Sequence, residues 1–261
     1  MIIVKPNGGL GNRMRVIHSA LLLANITRNR KLKILWKKDE GLNAGFFDLF
    51  EPIDCLSVEE GIWKMAIFFY GTKKILRYNY FDDIRTTLHQ FDISYFQKLG
   101  RNFLLNTCMD FLPVVGMENR YSIFKPVGEL QKKIDLIKNL FNGDTIGIQI
   151  RRTDHQIARE KSKTEDFIAK MKKLVELNSH VKFFLSTDDE SVATQIEHIF
   201  KEKIIIQQDK SLSRNSLEGI QAALVDMFAL SATKFILGSQ VSSFGEVASN
   251  IGSIPIEFVG A

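Results

Sequence analysis

Two adjacent arginines follow a short apolar run in the second half of the chain. The segment Ile146–Asp154 reads Ile-Gly-Ile-Gln-Ile-Arg-Arg-Thr-Asp, and its alternating isoleucines predict a β-strand that ends at Arg151 and Arg152. A guanidinium group can hold two phosphate oxygens at once, and its charge does not change with pH. We favour binding over surface ion pairs, because Thr153 and Asp154 could orient the guanidinium groups rather than only neutralise them. The segment therefore indicates a phosphate-containing ligand.

A glycine-rich turn near the N-terminus is a second candidate. Gly8-Gly9-Leu10-Gly11-Asn12-Arg13 lies between a predicted strand, Ile2–Lys5, and a predicted helix. Glycines permit close backbone approach, and a helix N-terminus offers free N–H groups to an anion. The turn lacks the Gly-Lys-Ser/Thr of a phosphate-binding loop, and Met14 occupies the third glycine place of the dinucleotide motif. A plain βα turn and a ligand site are equally consistent with this pattern.

A polar cluster follows the predicted strand Val181–Ser186. Thr187 and Glu190 have the spacing of a helix capping box, and acidic residues favour a helix start. Asp188 and Asp189 could instead bind a metal. Capping is the better interpretation, since it explains the cluster and no partner ligands are nearby in the sequence.

Two more segments allow alternative interpretations. Asp226 stands among apolar residues and needs a partner if it is buried. The paired N–H donors of a guanine base, an arginine or a backbone amide would each serve. Gly238–Glu246 follows a strand and opens a helix, so its hydroxyl and N–H groups could hold an anion. Taken alone, ordinary N-capping by Ser242 or Ser243 is the better explanation.

The surrounding pattern predicts an α/β fold with largely parallel sheets. Ile2–Lys5, a helix with apolar residues at one face, and Leu32–Trp36 form a βαβ unit. In the second half, a helix that extends to Phe141 precedes the arginine strand. Further strands are predicted at the following positions: Val181–Ser186, Ile204–Ile206, Lys234–Leu237 and Ile254–Val259. Pro255 confines the last strand to an edge or to its first residues.

Composition narrows the class of protein. The 261 residues carry a net charge of +5, which fits an anionic substrate or loose attraction to an anionic membrane surface. Lysine and arginine are dispersed, which disfavours nucleic acid as a partner. Cys55 and Cys108 suggest neither a disulfide framework nor a cysteine metal site. The N-terminus does not read as a signal peptide, and the longest apolar stretch, Met65–Tyr70, is too short to span a membrane. We expect a cytoplasmic protein that can associate peripherally with a membrane.

In their order along the chain, these motifs resemble those of the GDP-fucose-dependent fucosyltransferases of the α1,2/α1,6/protein O-linked superfamily. The arginine segment and the stretch through Asp226 to Phe244 are the specific matches. The match in residues 40–125 is loose and lies around Phe47–Phe50. The four matching segments are Gly8–Arg13, Gly147–Asp154, Leu185–Asp189, and Ser216 through Phe244.

The resemblance implies a GT-B architecture, with two Rossmann-like domains facing across a cleft. Residues 1–125 would form the acceptor-side domain and residues 126–261 the GDP-sugar-binding domain, with no metal or other cofactor. It implies that Arg151 grips the β-phosphate and stabilises the departing diphosphate, with Arg152 in support. The donor-site positions implied by the family motifs are Gly9, Gly11, Asn12, Arg13, Gln149, Thr187, Asp188, Asp226, Ser242, Ser243 and Phe244.

Within this set, the resemblance gives some residues particular roles. Asp226 would read the guanine edge, Ser242 and Ser243 would hold phosphate oxygens, and Asn12 would close against the nucleotide and the fucose. The implied activity is inverting transfer of fucose from GDP-fucose to a glycan hydroxyl, for example in polysaccharide biosynthesis. A transferase for another nucleotide sugar and a non-catalytic nucleotide- or glycan-binding protein are the alternatives.

Two departures from the family pattern affect the expected roles. A histidine is usual two positions before the first arginine, and Gln149 stands there in this chain. In the α1,6 branch a lysine follows the aspartate and a glutamate lies a few positions later. His155 takes the lysine place here and Glu160 is offset, so the general base stays open among Asp154, His155 and Glu160. Acceptor contacts are expected in the aromatic region from Phe46 to Phe111.

Overall fold

Two five-stranded sheets, each with parallel pairing between its strands, are present in the part of the chain that the computed structural model describes. That part comprises residues 1–28, 31–61, 79–82, 103–110, 121–153 and 156–260. The chain divides into two compact units, Met1–Val127 and Gly128–Ala261. The sequence analysis placed the domain boundary at residues 125/126. What each unit binds stays a prediction.

The first unit is built around a strand that is buried on both faces. Ile2, Ile3 and Val4 have no exposed surface, as expected for the central strand of a parallel sheet covered on both sides. The strand order is β3-β2-β1-β5-β4. Its elements are β1 (Ile2–Pro6), α1 (Leu10–Ile26), β2 (Leu32–Trp36), β3 (Leu56–Glu60), β4 (Asn79–Asp82), β5 (Phe103–Thr107) and a 3₁₀ turn (Tyr121–Ile123).

The second unit alternates helices and strands along its whole described length. Its strand order is β10-β9-β6-β7-β8, which is the order of a Rossmann fold when its strands are numbered from the first. Its strands are β6 (Thr145–Ile150), β7 (Lys182–Thr187), β8 (Ile204–Ile205), β9 (Ile236–Ser239) and β10 (Ile256–Val259). Its helices are α2 (Gly128–Lys138), α3 (Gln156–Lys161), α4 (Thr164–Leu177), α5 (Glu190–Phe200), α6 (Leu217–Leu230) and α7 (Ser243–Gly252), with a 3₁₀ turn at Lys201–Lys203.

The central strand of this unit needs a glycine where a helix crosses it. All six residues of β6 are buried. A Cβ added at Gly147 would lie 2.8 Å from Thr233 Oγ1 and 2.9 Å from a methyl carbon of Leu230, at the end of α6. Gly147 therefore allows the close approach of α6 to the sheet that brings Asp226 to the end of β7.

Several boundaries differ from the sequence prediction for local reasons. The tight turn predicted at Asn7–Asn12 is shorter, because α1 already begins at Leu10. The helix predicted to reach Phe141 ends at Lys138, and Phe141 packs on Phe184 with ring centroids 5.5 Å apart. The strand predicted at Lys234–Leu237 is Ile236–Ser239.

The prediction for the last strand is confirmed. β10 forms an edge of its sheet, and Pro255 precedes its first residue. None of the helices in the described residues is long and apolar enough to cross a membrane.

Candidate functional site

The carboxyl ends of β6 and β9 form the topological switch point of the second unit. These neighbouring strands lead to connections that run in opposite directions, toward β7 and toward β10, and ligands of open α/β sheets bind at such points. Arg151 follows β6 directly, and its backbone N–H donates to Ser239 Oγ at the end of β9 over 3.0 Å. The arginine motif and the serine-rich loop after β9 are therefore brought together, although they are far apart in sequence.

Arg151 is oriented by Asp188, which follows β7. Arg151 Nη1 lies 2.7 Å from Asp188 Oδ2, and the two side chains are only 14% and 17% exposed. A partly buried ion pair of this kind is less screened by water and salt than a surface pair. The pair holds the guanidinium at the edge of the sheet, where an anionic ligand can reach it.

Asp188 also fixes the backbone of the arginine loop. Its Oδ1 accepts from the Arg152 N–H at 2.7 Å, and its Oδ2 accepts from Thr153 Oγ1 at 2.8 Å. The orienting carboxylate of Arg151 is therefore Asp188, whereas the sequence suggested Thr153 and Asp154 for that role and gave Asp188 as part of a helix start and as a donor-site position implied by the resemblance.

The predicted capping box at Thr187 and Glu190 is wrong. Asp189 is the N-cap of α5, and its carboxylate accepts from the N–H groups of Ser191 at 2.9 Å and Val192 at 3.3 Å. The two adjacent aspartates thus have different roles: Asp189 caps the helix, and Asp188 binds the arginine loop. Thr187 is buried, and its hydroxyl accepts from the Asp189 N–H at 3.3 Å.

Arg152 points into the protein. It is 8% exposed, and its Nε and Nη2 donate to Thr164 Oγ1 at 3.1 and 2.8 Å, at the start of α4. Its Nη1 donates to the Arg151 carbonyl at 2.9 Å. These contacts suit the supporting role that the resemblance implies, since they tie the loop to α4.

Of the three candidate general bases, one lies within the described residues. Asp154 and His155 lie outside them. Glu160 is exposed near the end of the short helix α3. Among the described residues, no group of three or more His, Cys, Asp or Glu side chains could hold a metal ion.

The loop from β9 to α7 contains Ser242, Ser243 and Phe244. Ser242 is the N-cap residue of α7, yet its side chain makes no capping hydrogen bond, which disfavours ordinary capping as its role. Ser243 and Phe244 begin the helix, so their N–H groups belong to the free first turn. Val241 has a φ of 58°, a strained conformation for a β-branched residue, and its side chain is 54% exposed. Backbone strain of this kind clusters in functional loops, which makes this loop a candidate for ligand contact.

Gln149 lies beneath this loop, where the family has a histidine. It is 3% exposed, and its Oε1 accepts from the Ser239 N–H at 3.3 Å. A Cβ added at Gly245 would come within 3.1 Å of the same oxygen. Gln149 thus joins β6, β9 and α7.

Asp226 is buried and has partners within the protein. It is 3% exposed, and its Oδ2 lies 2.7 Å from Lys210 Nζ and accepts from Ser186 Oγ at 2.9 Å. With its amide turned to satisfy both atoms, Gln207 donates to Asp226 Oδ1 at 2.8 Å and to the Ala222 carbonyl at 3.0 Å. Lys210, which follows β8, was missed by the sequence analysis, because nothing in its local pattern links it to Asp226.

The glycine turn of the first unit lies at that unit's own switch point, where β1 and β5 are neighbours. Gly8 has a φ of 77°, and a Cβ there would lie 2.6 Å from Asn12 Nδ2, so the Asn12 side chain lies against the turn. Gly9 is the N-cap of α1, and Gly11 is buried inside the helix. Gly9 and Asn12 are both partly exposed, whereas Gly11 is buried.

Arg13 holds this turn from below. It has no exposed surface, and its Nε donates to the Gly8 carbonyl at 2.8 Å while its Nη1 donates to the Lys37 carbonyl. Its Nη2 lies 2.9 Å from Asp39 Oδ1, and its guanidinium carbon lies 4.9 Å from the centroid of the Trp36 ring. Burial lowers the pKa of the Arg13 guanidinium, and Asp39 counteracts that shift. Because the side chain is enclosed, we assign Arg13 a positioning role rather than direct donor contact.

The fold is that of solved fucosyltransferase structures. NodZ α-1,6-fucosyltransferase from Bradyrhizobium, soaked with GDP-fucose, matches with a TM-score of 0.68 at 19% identity, over 96% of this chain and 92% of its own. A variant of Arabidopsis thaliana FUT1 in complex with GDP matches with a TM-score of 0.66 at 18% identity, over 98% of this chain and 69% of its own. POFUT1 in complex with GDP matches with a TM-score of 0.57 at 11% identity, over 100% of this chain and 98% of its own.

The similarity is therefore one of fold rather than of close sequence. No protein-family model matches the chain, and no curated protein matches its sequence. The resemblance to the GDP-fucose-dependent fucosyltransferases is confirmed at the level of the fold, as is the expectation of two Rossmann-like α/β domains with parallel sheets.

Removal of the Arg13 side chain should destabilise the first unit without any ligand present. Arg13→Met leaves the partly buried carbonyls of Gly8 and Lys37, and the Asp39 carboxylate, without their donor, so we expect the unfolding free energy to fall by about 3 kcal/mol. Arg28→Met, at an exposed arginine just after α1, should change it by less than about 0.5 kcal/mol. Urea denaturation followed by circular dichroism measures both. Equal midpoints for the two variants would contradict the role assigned to Arg13.

Asp226 should make stability depend on pH in a defined direction. Burial raises the pKa of Asp226 above its ordinary value near 3.8, and Lys210 and Ser186 offset this only in part. The folded carboxyl then holds its proton at pH values where the unfolded one has lost it, so its contribution to stability falls as pH rises through that interval. Asp226→Asn has no carboxyl group at this position, so its stability lacks this dependence on pH. Its unfolding free energy relative to wild type should rise from roughly pH 4 upward and then level off. A difference that falls with pH would contradict the assignment.

Proposed function

We propose that this protein is an inverting fucosyltransferase that moves fucose from GDP-fucose to a hydroxyl of a glycan acceptor. The observation that carries the proposal is the placement of Arg151. It is fixed by Asp188 at the switch point of β6 and β9, in a fold shared with structures solved with GDP-fucose and GDP. This is the position where an open α/β sheet binds a ligand.

The proposed reaction is a single displacement at the anomeric carbon. The acceptor hydroxyl oxygen forms the new bond to that carbon while the bond to the diphosphate oxygen breaks, and GDP departs with the electron pair. The hydroxyl proton passes to a base or to water. Negative charge grows on the diphosphate as the bond breaks, so donors directed at it stabilise the transition state more than the ground state.

Arg151 suits this task because its surroundings already hold it in place. Asp188 fixes the guanidinium, and the Arg151 N–H is bound to Ser239. Fixed donors need no reorganisation as charge develops. In the proposal, Ser242, Ser243 and the N–H groups at the start of α7 bind the remaining phosphate oxygens, and the α7 dipole favours the negative charge.

The general base is proposed from proximity to the arginine loop. Asp154, His155 and Glu160 are the candidates, and Glu160 is the described one. Because Glu160 is exposed, it can meet an acceptor hydroxyl from solvent. We propose that the reaction needs no metal, since Arg151 and the α7 N-terminus would supply the charge that a metal otherwise provides.

The acceptor is proposed to be a sugar of a polysaccharide intermediate that is made in the cytoplasm, at or near a membrane surface. Aromatic faces suit the C–H surfaces of sugars. Of the aromatic residues in the described loop before β3, Phe46 and Phe50 are buried, whereas Phe47 is 47% exposed. Phe47 is therefore our candidate for acceptor contact among them. Much of the predicted region Phe46–Phe111 lies outside the described residues.

Nucleotide selectivity tests the donor directly. GDP and GDP-fucose should raise the melting temperature in the absence of metal, whereas UDP, ADP and CMP should not. A ligand at a hundred times its Kd stabilises by about 2.7 kcal/mol, enough for a clear shift. Differential scanning fluorimetry with EDTA present measures this. A shift with UDP alone would favour a different nucleotide-sugar donor. Tight GDP binding without transfer or donor hydrolysis would favour a non-catalytic binding protein.

Arg151→Ala should abolish turnover while the protein stays folded. Loss of one fixed donor at a developing charge costs on the order of a hundredfold or more in rate. Release of GDP from GDP-fucose, with or without acceptor, measures turnover, and circular dichroism checks the fold. The control is Arg28→Ala, which should keep wild-type turnover. Near-normal GDP release by Arg151→Ala would refute its role at the diphosphate.

A further inference from the structure

The loop after β8 places the ammonium of Lys210 on the buried carboxylate of Asp226, the residue to which the resemblance assigns the guanine base. Lys210 Nζ lies 2.7 Å from Asp226 Oδ2, and both side chains are largely enclosed, with exposed fractions of 11% and 5%. Ser186 at the end of β7 donates to the same oxygen, and Gln207 can donate to the other. A ligand that contacts the Asp226 carboxylate therefore also contacts Lys210, because the two side chains are paired.

Resting on the proposed function, we propose that Lys210 is a specificity-determining residue that reads the guanine base together with Asp226. Lys210 Nζ donates to the O6 oxygen of guanine, and Asp226 accepts from the adjacent ring and amino N–H groups. An ammonium has three N–H donors and the contact with Asp226 needs one, so Lys210 can keep the ion pair while it binds the base.

The pattern of donors and acceptors favours guanine over adenine. Guanine presents an acceptor, O6, beside N–H donors, and a lysine beside a carboxylate presents the complementary order. Adenine places an amino donor at the position of O6, which would face the Lys210 ammonium without a hydrogen bond. A buried donor left unpaired in this way is costly, and this cost generates selectivity.

The position of Gln149 explains why Lys210, rather than the residue at the place of the family histidine, is proposed to bind the base. Gln149 Oε1 accepts from the Ser239 N–H at 3.3 Å, and Gln149 is 3% exposed and packs against Gly245. An amide held in this way between β9 and α7 is poorly placed to bind a base. Lys210 lies on a loop instead, where its side chain can adjust to a ligand.

Guanine binding needs only a modest exchange of partners. The Gln207 amide gives up Asp226 Oδ1, and the ring and amino N–H groups of the base take its place on that oxygen, while Lys210 and Ser186 stay on Oδ2. Gln207 and Lys210 also line a cavity of about 520 Å³, a size usual for ligand pockets, with apolar walls that include Ile137, Ala222 and Val225. The cavity gives the displaced amide and the face of a base room beside the ion pair.

The test compares nucleotide selectivity in Lys210→Met and wild type. Isothermal titration calorimetry with GDP, IDP and ADP separates the contacts, because IDP keeps O6 but lacks the amino group that Asp226 would bind. Lys210→Met should weaken the binding of GDP and of IDP equally, by roughly tenfold to a hundredfold. It should also reduce the ratio of the GDP affinity to the ADP affinity (the GDP-to-ADP ratio). Asp226→Asn should instead reduce the GDP-to-IDP ratio.

Two further variants separate recognition from folding. Lys210→Arg keeps a cationic donor and should retain the GDP-to-ADP ratio. If Lys210→Met does not fold, the double variant Lys210→Met/Asp226→Asn removes the unpaired buried charge, and it should bind GDP and ADP with similar affinities. The control is Lys172→Met, at an exposed lysine of α4 that does not line the cavity, and this variant should bind all three nucleotides as wild type does.

The outcomes distinguish this inference from the proposed function. If wild type shows no preference for GDP, both are overturned. If wild type prefers GDP and Lys210→Met keeps the GDP-to-ADP ratio, only the assignment of Lys210 is overturned. If the double variant used in its place keeps that ratio, the assignments of Lys210 and Asp226 are both overturned and the proposed function stands. Tighter GDP binding by Lys210→Met would likewise overturn the assignment of Lys210, because Lys210 would then compete with the base instead of binding it.

Discussion

The contact between Asp188 and the arginine loop is the interaction on which the candidate site depends. The loop leaves β6 at the carboxyl end of the sheet, beyond the last residue of β6 that pairs with β7. One carboxylate at the end of β7 binds the Arg151 guanidinium, the Arg152 N–H and the Thr153 hydroxyl, and so transfers the rigidity of the sheet to the loop. Arg152 then ties the same loop to the start of α4 through Thr164. The geometry of Arg151 follows from β6 and β7 being adjacent in the sheet.

Each unit also keeps a buried charge beside its candidate site. Arg13 and Asp39 lie under the glycine turn, and Lys210 and Asp226 lie near the end of β7. A buried ion pair is a poor source of stability, because desolvation offsets most of the attraction between its charges. Such pairs instead fix one arrangement, since each charge must keep its partner. The pair of Arg13 and Asp39 fixes the backbone of the glycine turn. The pair of Lys210 and Asp226 places an N–H donor beside a carboxylate acceptor.

The sequence predicted the strands of the second unit well because each contains its own signal. Alternating isoleucines in β6 and apolar residues at helical spacing in α4, α5 and α6 depend only on which side faces the core. Contacts between distant residues have no such signal. Thr187 and Glu190 fit a capping box locally, yet the neighbouring Asp189 caps α5, which leaves Asp188 for Arg151. Lys210 reaches Asp226 only because α6 folds back onto β7, and Arg13 is enclosed only because Trp36 ends the neighbouring strand β2 and Asp39 follows that strand.

If Lys210 binds the guanine base as proposed, Gln149 and Lys210 together show how a base site can change without a change of fold. Gln149 lies inside the sheet, and its amide joins β9 to β6, so a substitution there alters the packing of three elements. Lys210 lies on the connection between β8 and α6, and loops accept substitution more readily than strands do. When the group that reads the base is on the loop, selectivity can be altered while the sheet, the Arg151 position and the α7 N-terminus stay fixed. Under the proposed function, the departure from the family histidine therefore leaves the diphosphate end of the site intact.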